Sequence, residues 1–186
     1  MGSILVVCTG NICRSPIAEG MIRAAFARTP GNDAVEVSSA GTNGWEGSEA
    51  MPESVEAAAE RGVDISTHVA RRLSDEMLDS ADLVLCMAHQ HREIIEAERP
   101  DLMSRTFTLK ELVRLLEDMP DRAPNLQARV KEADDLRRDG FDGNPLDEDI
   151  ADPLGLPIDT YRAVAWELEA WCERLVAGLA AADGSA

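Results

Sequence analysis

The chain has 186 residues and a formal net charge of −17 at pH 7. That length suits one domain with one core, and the charge speaks against nucleic acid or an anionic membrane surface as partner. No apolar run approaches the roughly 18 residues of a membrane span, and the segment Ile4–Val7 is too short, and lacks the basic flank, for a secretory signal. A cytoplasmic location is therefore expected, with a monomer as the default.

In chain order, Ser3–Val7 reads as a short buried strand. Pro16–Arg28 places Ile17, Met21, Ile22, Ala25 and Phe26 at helical spacing, with Ser15 available as N-cap. Val35–Ser38 reads as a second strand and Pro52–Arg61 as a helix stopped by Gly62. Ser74–Ser80 is a short helix, Asp82–Met87 a third strand, and a helix follows to about Glu98. Arg105–Thr108 is a fourth strand, leading into a helix over Leu109–Leu116.

The next stretch, Glu117 to Asp152, holds 12 acidic and 5 basic residues with little apolar periodicity outside Leu126–Leu136. It reads as a solvated surface excursion with one short helix, an acidic insertion at about 117–149 in a single domain spanning 1–186. Ile158–Leu179 then carries Tyr161, Val164, Ala165, Leu168, Cys172, Leu175, Val176 and Leu179 on one side, the pattern of a helix covering a sheet. Alternating strands and helices imply an α/β fold with a parallel sheet covered on both faces. Ligands of such sheets bind beyond the carboxyl ends of the strands, and the first strand ends at Cys8.

Cys8 and Arg14 are separated by five residues between a strand and a helix: Cys8-Thr9-Gly10-Asn11-Ile12-Cys13-Arg14-Ser15. A loop in that position aims successive N–H groups at an anion, and the following helix adds its positive end. Gly10 and Asn11 are residues that tolerate backbone angles others avoid. Arg14 offers a permanently charged, forked donor. The same field favours the thiolate of Cys8, and Ser15 is placed to hydrogen-bond it. A core cysteine has no need of Gly, Asn, Arg, Ser and a helix-opening proline after it. The four cysteines and three histidines show no zinc spacing and no static disulfide framework. No structural metal is expected. Asp152, before Pro153, is the candidate acid for a leaving group, although an isolated Asp-Pro is more often a turn.

These residues resemble the low-molecular-weight protein tyrosine phosphatase family. Val7–Pro16 is similar to its signature loop almost letter for letter. Ser39-Ala40-Gly41-Thr42, Ser66-Thr67-His68-Val69-Ala70-Arg71, Ala81–Met87 and Asp152-Pro153 resemble further segments of it. The resemblance implies a flavodoxin-like sandwich with four parallel strands and no cofactor. It implies a phosphocysteine intermediate at Cys8, phosphate held by Arg14 and the amides from Thr9 to Ser15, and Asp152 as acid and then base. It further implies Asn11 bracing the loop with support from Ser39 and His68, a protective Cys8–Cys13 disulfide under oxidation, and Trp45 as one wall of the cleft. Its substrates would be a phosphorylated protein or a small aryl phosphate.

Two departures stand out. Leu154-Gly155 follows Asp-Pro where the family usually has an aromatic residue, and the acidic stretch is longer than the family needs. Ala88-His89-Gln90-His91 and Phe107–Glu111 also resemble the protein arginine phosphatase branch, but Ile12 stands where that branch typically has a polar Thr, which favours the tyrosine reading. Arsenate reduction needs two further relay cysteines, which Cys86 and Cys172 are poorly placed to supply. A non-catalytic phosphate-binding module would not need both Cys8 and Asp152.

Overall fold

The structure, a computed structural model, describes residues 2–29, 35–119, 125–140 and 147–180. Its centre is β1 (Gly2–Cys8), whose alternate residues are buried on opposite faces. Ile4 and Val6 join one apolar cluster, and Leu5 and Val7 another. A strand covered on both sides has little use for polar side chains, which is why its sequence is a run of aliphatics.

β2 (Val35–Gly41) and β3 (Leu83–Cys86) flank β1, and β4 (Thr106–Thr108) pairs with β3. All pairs are parallel, in the order β2-β1-β3-β4. The register sets Cys8 opposite Gly41 and Val7 opposite Cys86. The carboxyl ends of three strands thus converge around Cys8, as the α/β reading requires.

One face of the sheet is covered by α1 (Arg14–Ala27), α2 (Pro52–Ala59), α5 (Leu109–Asp118), α6 (Leu126–Arg138) and α7 (Ile158–Leu179). The other is covered by α3 (Asp75–Ser80), α4 (His89–Glu98) and a 3₁₀ turn over Pro100–Arg105. The sequence does not announce that turn. α5 starts with a full capping box, Thr108 with Glu111, a device worth about 1 kcal/mol. α7 buries the eight residues that its spacing predicts. No described helix is long and apolar enough to cross a membrane.

The acidic stretch needs correction where it is described; residues 120–124 and 141–146 lie outside the described part. α6 is not a solvated excursion. Leu126, Val130 and Ala133 are buried in the main cluster, and Asn125 caps the helix by accepting from the Ala128 N–H. Arg129, also buried, donates to the carbonyls of Gly178 and Leu116. Arg137 donates to the Thr106 carbonyl, pairs with Asp134 at 2.6 Å and stacks 4.1 Å from the Phe107 ring centre. The charges that made this helix read as solvated are what bolt it to α5, α7 and β4.

Candidate active site

The segment from Cys8 to Arg14 turns directly from β1 into α1. Ser15 does not cap that helix, contrary to the sequence reading. The helix begins one residue earlier, with Cys13 in the N-cap position and no side-chain cap. Ser15 Oγ instead lies 3.0 Å from Cys8 Sγ and accepts from Asn11 Nδ2 at 2.9 Å. The Asn11 N–H points at Cys8 Sγ from 3.3 Å. One backbone N–H and one hydroxyl group therefore lie within hydrogen-bond distance of the buried sulfur.

The loop's left-handed residue is Asn11, with φ of 57°, and not Gly10. Asn11 is held there on every side. Its Nδ2 also donates to Ser39 Oγ at 2.8 Å, its Oδ1 accepts from the Arg71 N–H at 2.8 Å, and its carbonyl accepts from His68 Nε2 at 2.8 Å. Ser39 in turn donates to the buried carboxylate of Glu19. A Cβ at Gly10 would sit tightly, 3.2 Å from Ile12 Cγ1.

The connection after β2 satisfies the loop's outward carbonyls. Thr42, Asn43, Trp45 and Met51 donate their N–H groups to the carbonyls of Cys8, Thr9, Gly10 and Ile12, at 2.9–3.0 Å. This close approach explains Gly41, whose site role sequence reasoning missed. A Cβ on Gly41 would lie 2.4 Å from the Thr9 carbonyl oxygen and 3.0 Å from the Asn11 nitrogen.

Arg14 is 3% exposed, and its guanidinium reaches across to the segment before α7. Nη1 donates to the Ile150 carbonyl at 3.1 Å, and Nη2 to Asp152 Oδ2 at 2.6 Å. Its Nε is buried with no partner, an orphan donor beside the loop. Asp152 is 47% exposed at its side chain. The segment carrying it is pinned to the β3–α4 turn, with Ile150 N–H on the Met87 carbonyl and Asp149 accepting from the His89 N–H. The neighbouring acids are engaged elsewhere. Asp147 pairs with Lys110 and Arg114, Glu148 meets Thr108, and Asp159 pairs with Arg162.

Cys8, Thr9, Gly10, Ile12, Cys13, Arg14, Trp45, Asp152 and Leu154 line one small cleft of about 60 Å³. Trp45 is 49% exposed and Leu154 42% exposed at its mouth. A wider groove of about 490 Å³ lies behind α1, lined by Glu19, Arg23, Asp64, His68, Val69 and Arg71 among others, with no cysteine in its lining. All four cysteines are free and buried. Burial pushes the Cys13 thiol up to about 11, against a weaker opposing bond from Ser54, and raises Cys86 and Cys172 further. Among the described residues no group of three His, Cys, Asp or Glu side chains is placed to hold a metal ion.

Residues 3–121 match the family model described as low molecular weight phosphotyrosine protein phosphatase. The chain is 36% identical over 166 residues to a protein-arginine-phosphatase of Bacillus subtilis, covering 89% of each chain. It is 41% identical over 120 residues to a probable low molecular weight protein-tyrosine-phosphatase of Ralstonia solanacearum, covering 64% of this chain and 79% of that one. The crystal structure of a low molecular weight protein tyrosine phosphatase from T. tengcongensis superposes with a TM-score of 0.73 at 35% identity, covering 96% of this chain and all of the other.

Proposed function

The chain belongs to the low molecular weight phosphotyrosine protein phosphatase family, and from that premise we propose that it hydrolyses phosphotyrosine on proteins or small aryl phosphates in the cytoplasm through a covalent intermediate on Cys8. One observation carries this reading: the thiol and guanidinium of one loop, whose carbonyls are tied outward, share a cleft with a carboxylate from a distant part of the chain.

With the carbonyls of Cys8, Thr9, Gly10 and Ile12 engaged from the β2 side, the loop's other side is free to offer amides to a phosphoryl group. Arg14 adds two forked donors, and the unpartnered Nε gains an acceptor when an anion arrives. Cys8 Sγ attacks phosphorus in line with the leaving oxygen. The S–P bond forms as the P–O bond breaks, and Asp152 gives its proton to the departing phenol. Water then attacks the phosphocysteine while the Asp152 carboxylate takes the water's proton. The S–P bond breaks, and the thiolate is received by the Asn11 N–H and the Ser15 hydroxyl. Asp152 suits the acid role better than its neighbours because it alone among them both lines the cleft and touches Arg14.

Ile12 and Trp45 present apolar surface to the leaving group, which supports an aryl ester over a charged phosphoramidate. The Bacillus relative named a protein-arginine-phosphatase spans nearly the whole chain and favours a second reading, arginine dephosphorylation. Phosphate release from matched phosphotyrosine and phosphoarginine peptides, with Cys8→Ser as blank, decides between them. A tyrosine ratio above one that vanishes in the blank supports the proposal. A preference for arginine sinks the substrate choice and keeps the chemistry.

A further inference from the structure

α4 carries a group that the reaction above does not use. His91, on its first turn, is 0% exposed. Its Nε2 lies 3.0 Å from Thr9 Oγ1, on the residue directly after Cys8. Its Nδ1 is buried with no partner. Leaving a buried polar atom unpaired is costly, and the other buried position of α4 is filled by Ile95 without that cost. The described bond that sets His91 apart from such an aliphatic filler is the one to Thr9.

The protonation state follows from the surroundings. Burial first, and the Arg14 guanidinium second, push His91 down to about 4, against weaker pulls from Asp149 and Asp152. The ring is neutral at physiological pH. With the proton on Nδ1, a buried N–H would be orphaned. With the proton on Nε2, only a lone pair goes unpaired, which folded proteins tolerate better. The Nε2–H therefore donates to Thr9 Oγ1, leaving the threonine hydroxyl proton to be given elsewhere. Thr9 lines the cleft together with Cys8 and Arg14.

Topology gives this contact its significance. The backbone ties on the loop from Thr42, Asn43, Trp45 and Met51 come from the connection after β2. His91 follows β3, on the opposite side of β1. It also sits two residues from His89, which anchors Asp149 and with it the segment bearing Asp152.

We propose that His91 is a positioning residue for phosphate binding: from the β3 side, its Nε2–H fixes Thr9 so that the threonine's amide and hydroxyl face the phosphoryl group at Cys8. This rests on the phosphatase reading for its purpose, but its test reads binding as well as turnover.

The experiment is a double-mutant cycle on the full chain: wild type, His91→Ala, Thr9→Val and the pair. Inorganic phosphate affinity is measured by calorimetry, alongside kcat and thermal melting. Each single change is expected to weaken phosphate about fivefold, with the pair no weaker than the worse single. His91→Gln, which sets an amide nitrogen near the place of Nε2, should restore affinity to within about twofold, a recovery that a space-filling role does not predict. Ile95→Val, a packing control on the same helix, should lower melting without moving phosphate affinity. Additive losses in the pair, or unchanged affinity in His91→Ala, would overturn the proposal. Failure of the phosphatase reading has a different signature: the wild type releases no phosphate, while its binding of phosphate still depends on His91.

Discussion

The phosphate loop and the segment bearing Asp152 meet at Arg14, yet they are held in different ways. The loop is largely buried and its carbonyls are tied outward, with Asn11 alone making four side-chain and carbonyl contacts. The Asp152 segment rests on a few bonds at Asp149 and Ile150, and its carboxylate is half exposed. The difference fits the two tasks in the proposed mechanism. Binding a phosphoryl group needs donors fixed in advance, because reorganisation during the reaction would cost rate. A group that gives a proton and later takes one from water needs access to solvent. That carboxylate occupies part of the Arg14 fork, so phosphate and Asp152 would compete for one cation.

Removing the carboxylate breaks the comparison most severely. Asp152→Asn is expected to lower kcat by about 10²–10⁴-fold on phosphotyrosine peptide, while binding of inorganic phosphate tightens because Arg14 loses its competitor. Steady-state kinetics and calorimetry on the same sample check both signs. Equal weakening of both would mean that Asp152 serves the phosphate-binding geometry and not proton transfer.

Gly41→Ala attacks the rigid side. Its Cβ would collide with the Thr9 carbonyl and the Asn11 nitrogen, which are backbone and cannot swing aside. A loss of about 3 kcal/mol in unfolding free energy is expected, with activity falling more than stability because the displaced atoms belong to the loop. Gly155→Ala, beside the acid segment, meets no atom within 4 Å but sits at φ of 78°, and should cost only about 1 kcal/mol.

A change of pH falls between these two glycine effects. His91 is held at about 4 in the fold against an ordinary 6.5. The unfolded chain therefore binds more protons between those values, so this contribution to stability is full above pH 6.5 and lost as pH falls toward 4. Between pH 7 and pH 5 the loss should be about 2 kcal/mol. Denaturant melts at both pH values should show a shallower decline for His91→Gln than for the wild type. Parallel declines would mean that His91 is not buried as a neutral ring.

Much of this molecule is legible in its sequence because the signals are local. The aliphatic run into Cys8, the contiguous loop to Arg14 and the one-sided spacing of α7 each sit within a short window. The rest depends on partners distant in sequence. Ser15 reads both as a helix cap and as a partner for Cys8, and only the fold shows that the second holds and the first does not. Gly41 looks like an ordinary strand end until the loop packs over it. His91 gains its meaning from a threonine 82 positions earlier. α6 misleads because Arg129, Asp134 and Arg137 read as a solvated face, but Arg137 pairs with Asp134 and donates to β4 while Arg129 donates to carbonyls of α5 and α7. Burial of charge that is fully partnered leaves no mark in a hydropathy pattern.

The most direct test of the central claim is to trap the intermediate. Asp152→Asn protein, mixed with excess phosphotyrosine substrate and quenched in acid, should carry the mass of one phosphoryl group on the peptide containing Cys8, and Cys8→Ser in the same background should release no phenol. A phosphoryl group found on another residue, or rapid turnover with no covalent adduct, would contradict the assignment of Cys8 as the nucleophile.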